Sequence, residues 1–199
     1  IHACLQNTLQ FRFVLMDSWF ASEENFDFIT SRGKHFIAAL KDNRLVALSQ
    51  EDWKKKRFVR VDELEFSEQG TVQGWLKGSA RAVRLVRQVF KNQDSSTGKL
   101  HLVCSDLTCD YDAITTTYKK RWQVEVFHKS LKSNAGMAKS PTQTLRTQSN
   151  HVFMAIYAVF KLECLSVKNK INSFALRFKL LINATRSAFD QLQKFQAAA

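Results

Sequence analysis

The stretch YKKRWQVEVFHKSLKSN, residues 118 to 134, places one carboxylate, Glu125, inside a run of Lys, Arg and His. On an ideal helix at about 100° per residue, Tyr118, Arg121, Glu125 and Lys132 fall within roughly 60° of one another. His128 sits just beside them and Lys129 follows, while Val124, Phe127 and Leu131 form a separate apolar stripe. An acid that shares a face with bases has two readings. Arg121 and Glu125 are spaced as an i, i+4 ion pair, which on a solvated face contributes a few tenths of a kcal/mol. Alternatively, the carboxylate is a ligand for a hard cation and the bases receive phosphate oxygens. From this helix alone both readings stand.

A second carboxylate bears on the choice. Asp17 ends FRFVLMD, residues 11 to 17, a short aromatic and aliphatic run with the pattern of a buried strand. The carboxyl end of a strand in an open α/β sheet is where ligands bind. An acid there commonly caps the next helix, but Ser22, followed by Glu23 and Glu24, already suits that task. Paired carboxylates hold Mg²⁺ while leaving positions for water and phosphate oxygens. Two such ions about 3.5 to 4 Å apart activate an attacking oxygen and stabilise a leaving one. Beside them, Arg121 can fork onto a phosphate, Lys132 can supply a point charge, and Tyr118 can hydrogen-bond or stack.

Composition favours a polyanion partner. The chain has 199 residues, 45% of them hydrophobic, enough to bury a real core in one or two domains and to exclude a disordered chain. Lys and Arg number 30 against 18 Asp and Glu, and the resulting +12 is spread along the chain rather than held in a tail. Such a field places nucleic acid ahead of an acidic membrane surface. Cys4, Cys104, Cys109 and Cys164 lack the paired spacing of a structural zinc site and are expected to be reduced thiols. The most apolar run, VFMAIYAVF at 152 to 160, is followed at once by Lys161 and Glu163. It is too short to span a bilayer and reads as a core helix. The first residue is Ile1, with neither an initiator Met nor a signal-peptide pattern, so the sequence is expected to begin inside a longer reading frame.

The elements that must position these groups can be read in outline. A helix opening at Ser22 and stopping near Gly33, flanked by FRFVLMD and HFIAAL (35 to 40), is a βαβ unit with a parallel strand pair. Residues 41 to 112 change character. RFVRVDEL, TVQGWLKG, RAVRLVRQVF and KLHLVCSDL are β-type runs separated by polar segments such as NQDSSTG, which predicts an antiparallel insertion. From about Asp112 the helical pattern returns, and Pro141 marks a boundary before two helices, roughly 142 to 168 and 172 to 195.

Taken together these residues resemble a known family, the DDE transposases of bacterial insertion sequences, in the subgroup marked by Y-(2)-R-(3)-E-(6)-K. Tyr118, Arg121, Glu125 and Lys132 match that spacing without a gap. LMDSWFASEENFDFI upstream looks like the segment holding the second catalytic Asp, and RWQVEVFHKSLKSN and KSPTQTLRTQSNH look like the same subgroup, so the resemblance covers nearly the whole chain. It implies an α/β fold: a partial ribonuclease-H-like core, its first strands missing, at 1–40 and 113–140. A β-rich insertion would occupy 41–112 and a C-terminal helical segment 141–199. It also implies Mg²⁺- or Mn²⁺-dependent cutting and joining of double-stranded DNA at transposon ends.

By the same carry-over Asp17 and Glu125 are the catalytic metal ligands, and Tyr118, Arg121, His128, Lys129 and Lys132 contact DNA. The family's first catalytic Asp lies on a strand that would precede Ile1, so two ligands of three are present. Asp106, which ends LHLVCSD, is a weak substitute because it falls in the insertion. Trp19, Trp75 and Trp122 can pack in a core or stack on an extruded base. The resemblance further implies a homodimer on DNA, no membrane partner, and a cytoplasmic, nucleoid-associated location. The alternatives are a catalytically inactive DNA-binding remnant, and a metal-dependent nuclease that cleaves without joining ends.

Overall fold

The structure, a computed structural model, describes residues 1–91, 94–141 and 143–197. In chain order the first elements are α1 (His2–Gln6), β1 (Phe13–Met16), α2 (Glu23–Ser31), β2 (His35–Leu40), β3 (Leu45–Ala47), α3 (Gln50–Lys54), β4 (Val59–Arg60) and β5 (Thr71–Leu76). They are followed by β6 (Ala82–Lys91), β7 (Thr97–Cys104), α4 (Tyr111–Lys119), α5 (Gln123–Ser133), α6 (Leu145–Asn169) and α7 (Ser173–Ala197). The chain divides into two compact units, Ile1–Arg121 and Trp122–Ala199.

In the first unit the described strands form one seven-stranded mixed sheet, in the order β1-β2-β7-β6-β5-β3-β4. β1 and β2 are parallel, with Phe13 opposite His35 and Met16 opposite Ala38. Every other pairing is antiparallel, and the longest runs along β6 and β7 from Arg84 and Cys104 to Lys91 and Thr97. The predicted βαβ unit is therefore present. The antiparallel strands continue the same sheet, because β7 pairs directly with β2, Ile37 opposite Cys104.

β2 explains why HFIAAL reads as a continuous apolar run: both its faces are covered. Phe36, Ala38 and Leu40 join Phe26 and Ile29 of α2 in one buried cluster, with the Phe26 and Phe36 rings stacked at 4.0 Å. Ile37 and Ala39 join Ile114 and Tyr118 of α4 in a second. α2 starts where the sequence placed it, since the Ser22 hydroxyl accepts from the Asn25 amide at 3.3 Å. It ends at Gly33, whose φ of +66° suits a residue without Cβ. β1 lies at the end of the sheet and pairs with β2 alone among the described strands.

Several expectations differ from the structure. Residues 118 to 134 are not one helix. α4 ends at Lys119 and a 3₁₀ turn, Lys120–Trp122, precedes α5. Three consecutive β-branched residues, Thr115 to Thr117, weaken the end of α4, and the Thr115 hydroxyl bonds back to the Tyr111 carbonyl at 2.9 Å. The projection at 100° per residue thus applies within α5 but not from Tyr118 through to Lys132. RFVRVDEL keeps only two strand residues before a 3₁₀ turn, Val61–Glu63, and QEDWK forms the short helix α3 behind a Ser49 cap.

In the second unit α6 begins at Leu145, capped by Thr144, and the predicted start at 142 lies outside the described residues, as do the first two residues of NQDSSTG. The core there is small: Leu131, Ala155 and Val159, with Ala135 and Met137 against them. VFMAIYAVF is consequently not a core helix. Ala155 and Val159 are buried, whereas Phe153, Met154, Ile156, Tyr157 and Phe160 are exposed. By length and composition α6 is long and apolar enough to cross a membrane, which for a single helix is weak evidence.

Candidate functional site

Asp17 leaves the carboxyl end of β1, and the loop behind it is tied down. Its Oδ1 accepts from the Trp19 amide at 3.0 Å, its carbonyl accepts from the Phe20 amide at 3.3 Å, and Asn25 Nδ2 donates to the Phe20 carbonyl at 2.9 Å. Across the sheet edge stands Tyr118, whose ring belongs to the buried cluster on the α4 face and is only 9% exposed. Burial raises the Tyr118 pKa, the charge of Asp17 raises it further, and Arg121 opposes both. The net direction is upward, so at neutral pH the phenol is an O–H donor. The Arg121 guanidinium lies 5.9 Å from the Tyr118 ring centroid. The first unit therefore brings Asp17, Tyr118 and Arg121 together.

The remaining candidates lie on α5 in the second unit. Glu125 is exposed in the first turn, where the helix dipole favours an acid, and Lys132 is exposed in the last turn, where it favours a base. His128 is exposed beside Phe127 at 6.1 Å between centroids, and Lys129 Nζ stands 5.8 Å over the Phe174 ring. Ser130 and Leu131 are buried and fix the helix by its opposite side. The cations are thus on a solvent face.

Asp106 has a different job. It follows β7, and the Ser105 amide donates to the Phe36 carbonyl, so it sits where β1 and β2 begin. Asp17 is at the other end, about 16 Å along the strand at roughly 3.3 Å per residue. The Asp106 Oδ1 accepts from the Thr108 amide and hydroxyl, its Oδ2 pairs with Arg12, and His35 Nε2 is 3.9 Å away. Burial lifts the carboxyl, but the Thr108 bonds, Arg12 and His35 outweigh it and hold it at about 2. It is a structural clamp, which the sequence did not reveal because its partners come from residues 12, 35 and 108.

As to a divalent ion, the donor set is right in kind: Asp17 and Glu125 are hard carboxylate oxygens. In number it is short, for the described residues contain no group of three or more His, Cys, Asp or Glu arranged to hold a metal. Sequence reasoning also passed over Lys41, Arg44 and Lys77, which line a cleft beginning at Ser18, next to Asp17. The available signal was KDNR at 41–44, a cationic turn directly after the carboxyl end of a strand.

A parallel strand pair ending in an acid, covered by helices on both faces and extended by antiparallel strands, defines a mixed α/β protein whose ligand edge is the carboxyl end of β1. The chain belongs to the family of transposase DDE domains, whose model matches residues 1–160. A search of the curated proteins returned no match. Family membership assigns the transposase class of activity, cleavage and transfer of DNA strands, with DNA as substrate.

Proposed function

We propose that this chain is the catalytic portion of a metal-dependent transposase that cleaves and rejoins DNA at the ends of a bacterial insertion sequence, in the Y-(2)-R-(3)-E-(6)-K subgroup. The observation that carries the reading is the association of Asp17 with Tyr118 and Arg121 at the carboxyl edge of the parallel pair. In this reading β1, α2, β2 and residues 113–140 form a ribonuclease-H-like core, 41–112 an insertion that prolongs its sheet, and 141–199 a helical segment. Asp17 and Glu125 would hold Mg²⁺ or Mn²⁺. When bound, such an ion activates the attacking oxygen and neutralises charge on the leaving one.

The chain's own groups do the positioning. Tyr118, a neutral donor, offers its O–H beside Asp17, and Arg121 forks onto a phosphate. His128, Lys129 and Lys132 meet the DNA backbone along the exposed face of α5. The protein works in the bacterial cytoplasm on nucleoid DNA, as a homodimer that holds two ends. A second reading, an inactive DNA-binding remnant, is favoured because the described residues contain no group of three or more His, Cys, Asp or Glu placed to hold a metal.

The two separate on metal binding. Asp17→Asn and Glu125→Gln keep side-chain shape and remove only charge, so each should weaken Mn²⁺ binding, read by electron paramagnetic resonance, at least tenfold while leaving low-salt DNA binding intact. Undiminished Mn²⁺ binding by both variants would decide for the remnant. Arg121→Ala should lower the magnitude of the slope of log affinity against log salt by about 0.9, the value for one phosphate contact.

A further inference from the structure

Beside Asp17 a cleft of about 430 Å³ opens between the loop after β1 and the turn after β2, with Ser18, Trp19, Leu40, Lys41, Arg44 and Lys77 among its walls. Three cations converge there, Lys41 and Arg44 from one turn and Lys77 from the segment after β5. Among the described residues no carboxylate oxygen lies within 4 Å of the charged nitrogens of Lys41, Arg44 or Lys77. Arg44 Nε is, in addition, buried without a hydrogen-bond partner among the described residues. Trp19 is 81% exposed, and Lys41 Nζ stands 5.8 Å from its ring centroid.

Two acids lie close to these cations, and one of them is engaged by a neighbouring ring. Asp42, inside the cationic turn, is drawn to His101, its Oδ1 3.0 Å from Nδ1 of a ring that is almost fully buried. Glu23, in the first turn of α2, lies against Gly78, where a Cβ would come 2.2 Å from its carboxylate oxygen. The turn itself is rigid. The Arg44 amide donates to the Lys41 carbonyl at 2.9 Å, the Val61 amide to the Arg44 carbonyl at 2.9 Å, and the Lys77 amide to the Leu45 carbonyl at 3.0 Å. Converging cations on fixed backbone, with an open aromatic face beside them, match successive phosphates with a sugar and base between.

We infer that this cleft is a phosphate-binding channel that takes the backbone of a DNA strand next to Asp17, with Lys41, Arg44 and Lys77 on the phosphates and Trp19 against the adjoining nucleotide. The inference rests on the transposase reading and adds to it a binding surface on the first unit, separate from that proposed for α5. His101 is a positioning residue there, since it holds Asp42 away from the phosphates.

The test uses the full chain and a fluorescent single-stranded oligonucleotide, with affinity measured across a salt series. In the combined variant Lys41→Gln, Arg44→Gln, Lys77→Gln, the slope magnitude should fall by about 2, at roughly 0.7 for each lost contact to a single strand. A slope and affinity equal to wild type would overturn the inference. If Arg121→Ala still showed its own loss in that case, the transposase reading would survive. Salt-independent binding by the wild-type chain would instead remove both. Lysine acetylation read by mass spectrometry gives an answer even if the combined variant does not fold. The oligonucleotide should protect Lys41 and Lys77 of the wild-type chain at least fivefold. Equal labelling with and without it, or equal protection by inorganic phosphate alone, would refute a DNA-strand site.

Discussion

Replacing Asp106 with asparagine keeps the shape of the side chain and its acceptor for Thr108 but removes the charge that Arg12 and His35 face. An aspartate near 3.8 that the fold holds at about 2 contributes about 2 kcal/mol at neutral pH, since each tenfold in proton affinity is worth about 1.4 kcal/mol. The carboxylate side chain is only 6% exposed, so solvent screens little of this at its own end. Arg12 is 64% exposed, and its pair with Asp106 contributes less than about 1 kcal/mol. The rest comes from the charge on the oxygen that accepts the two Thr108 bonds, which asparagine keeps only as weaker neutral bonds, so Arg12→Ala should cost less than Asp106→Asn.

The pH dependence has a definite sign. The folded value lies below the unfolded one, so the contribution is complete above about pH 4 and is lost as the pH falls through about 2. Urea melts followed by tryptophan fluorescence report on the first unit, which holds Trp19, Trp53 and Trp75. Between pH 7 and 5 the variant should be about 2 kcal/mol less stable than wild type, and the two should converge near pH 2. A gap that stays constant down to pH 2 would show that the loss is packing, not ionisation, and would refute the clamp.

Three further outcomes follow from the same structure. Ile29→Ala, which empties a fully buried site between α2 and the sheet, should destabilise the chain by about 2 to 5 kcal/mol in urea melts. Burial pushes the Cys104 thiol up to about 12, whereas Cys164 is exposed. At pH 8 a thiol reagent should therefore label Cys164 within minutes and leave Cys104 unmodified until the protein is unfolded. His101→Phe removes the partner of Asp42 and frees that carboxylate beside Lys41 and Arg44, so oligonucleotide affinity should fall several-fold at low salt in a variant that still unfolds cooperatively.

The local elements were legible because each rests on short-range chemistry. Ser22 caps α2, Gly33 ends it, and HFIAAL is apolar on both faces. The sheet order was not legible, because β7 crosses back to pair with β2 from more than sixty residues away and nothing in KLHLVCSDL names that partner. VFMAIYAVF misled for a related reason. A run apolar at nearly every position shows no preferred face, and the two buried residues, Ala155 and Val159, sit one helical turn apart among exposed neighbours. Asp17, Tyr118 and Arg121, which the fold brings near one another, could be singled out from strand end and motif spacing. The cluster of Lys41, Arg44 and Lys77 could not, because Lys77 joins the turn at 41–44 only once the chain has folded.

The two ends of β1 show how this unit divides its charge. At the amino end, Arg12 and His35 surround a buried carboxylate that also takes two bonds from Thr108, so the charges there are matched and partly removed from water. Such a cluster fixes register between β1, β2 and β7 and has little left to offer a ligand. At the carboxyl end the pattern reverses: Asp17 keeps its carboxylate at the sheet edge, and Lys41, Arg44 and Lys77 stand near it with Asp42 turned toward His101. Unmatched cations so close together repel one another, which is tolerable only because stability is secured at the opposite end and in the two buried clusters. If that division is correct, neutralising the three lysine and arginine positions should raise the melting temperature while weakening DNA binding. Neutralising Arg12 should lower the melting temperature and leave DNA binding alone. Paired melts and binding curves on the two variants test this directly, and parallel losses in both quantities for both variants would show that the two ends are not separate.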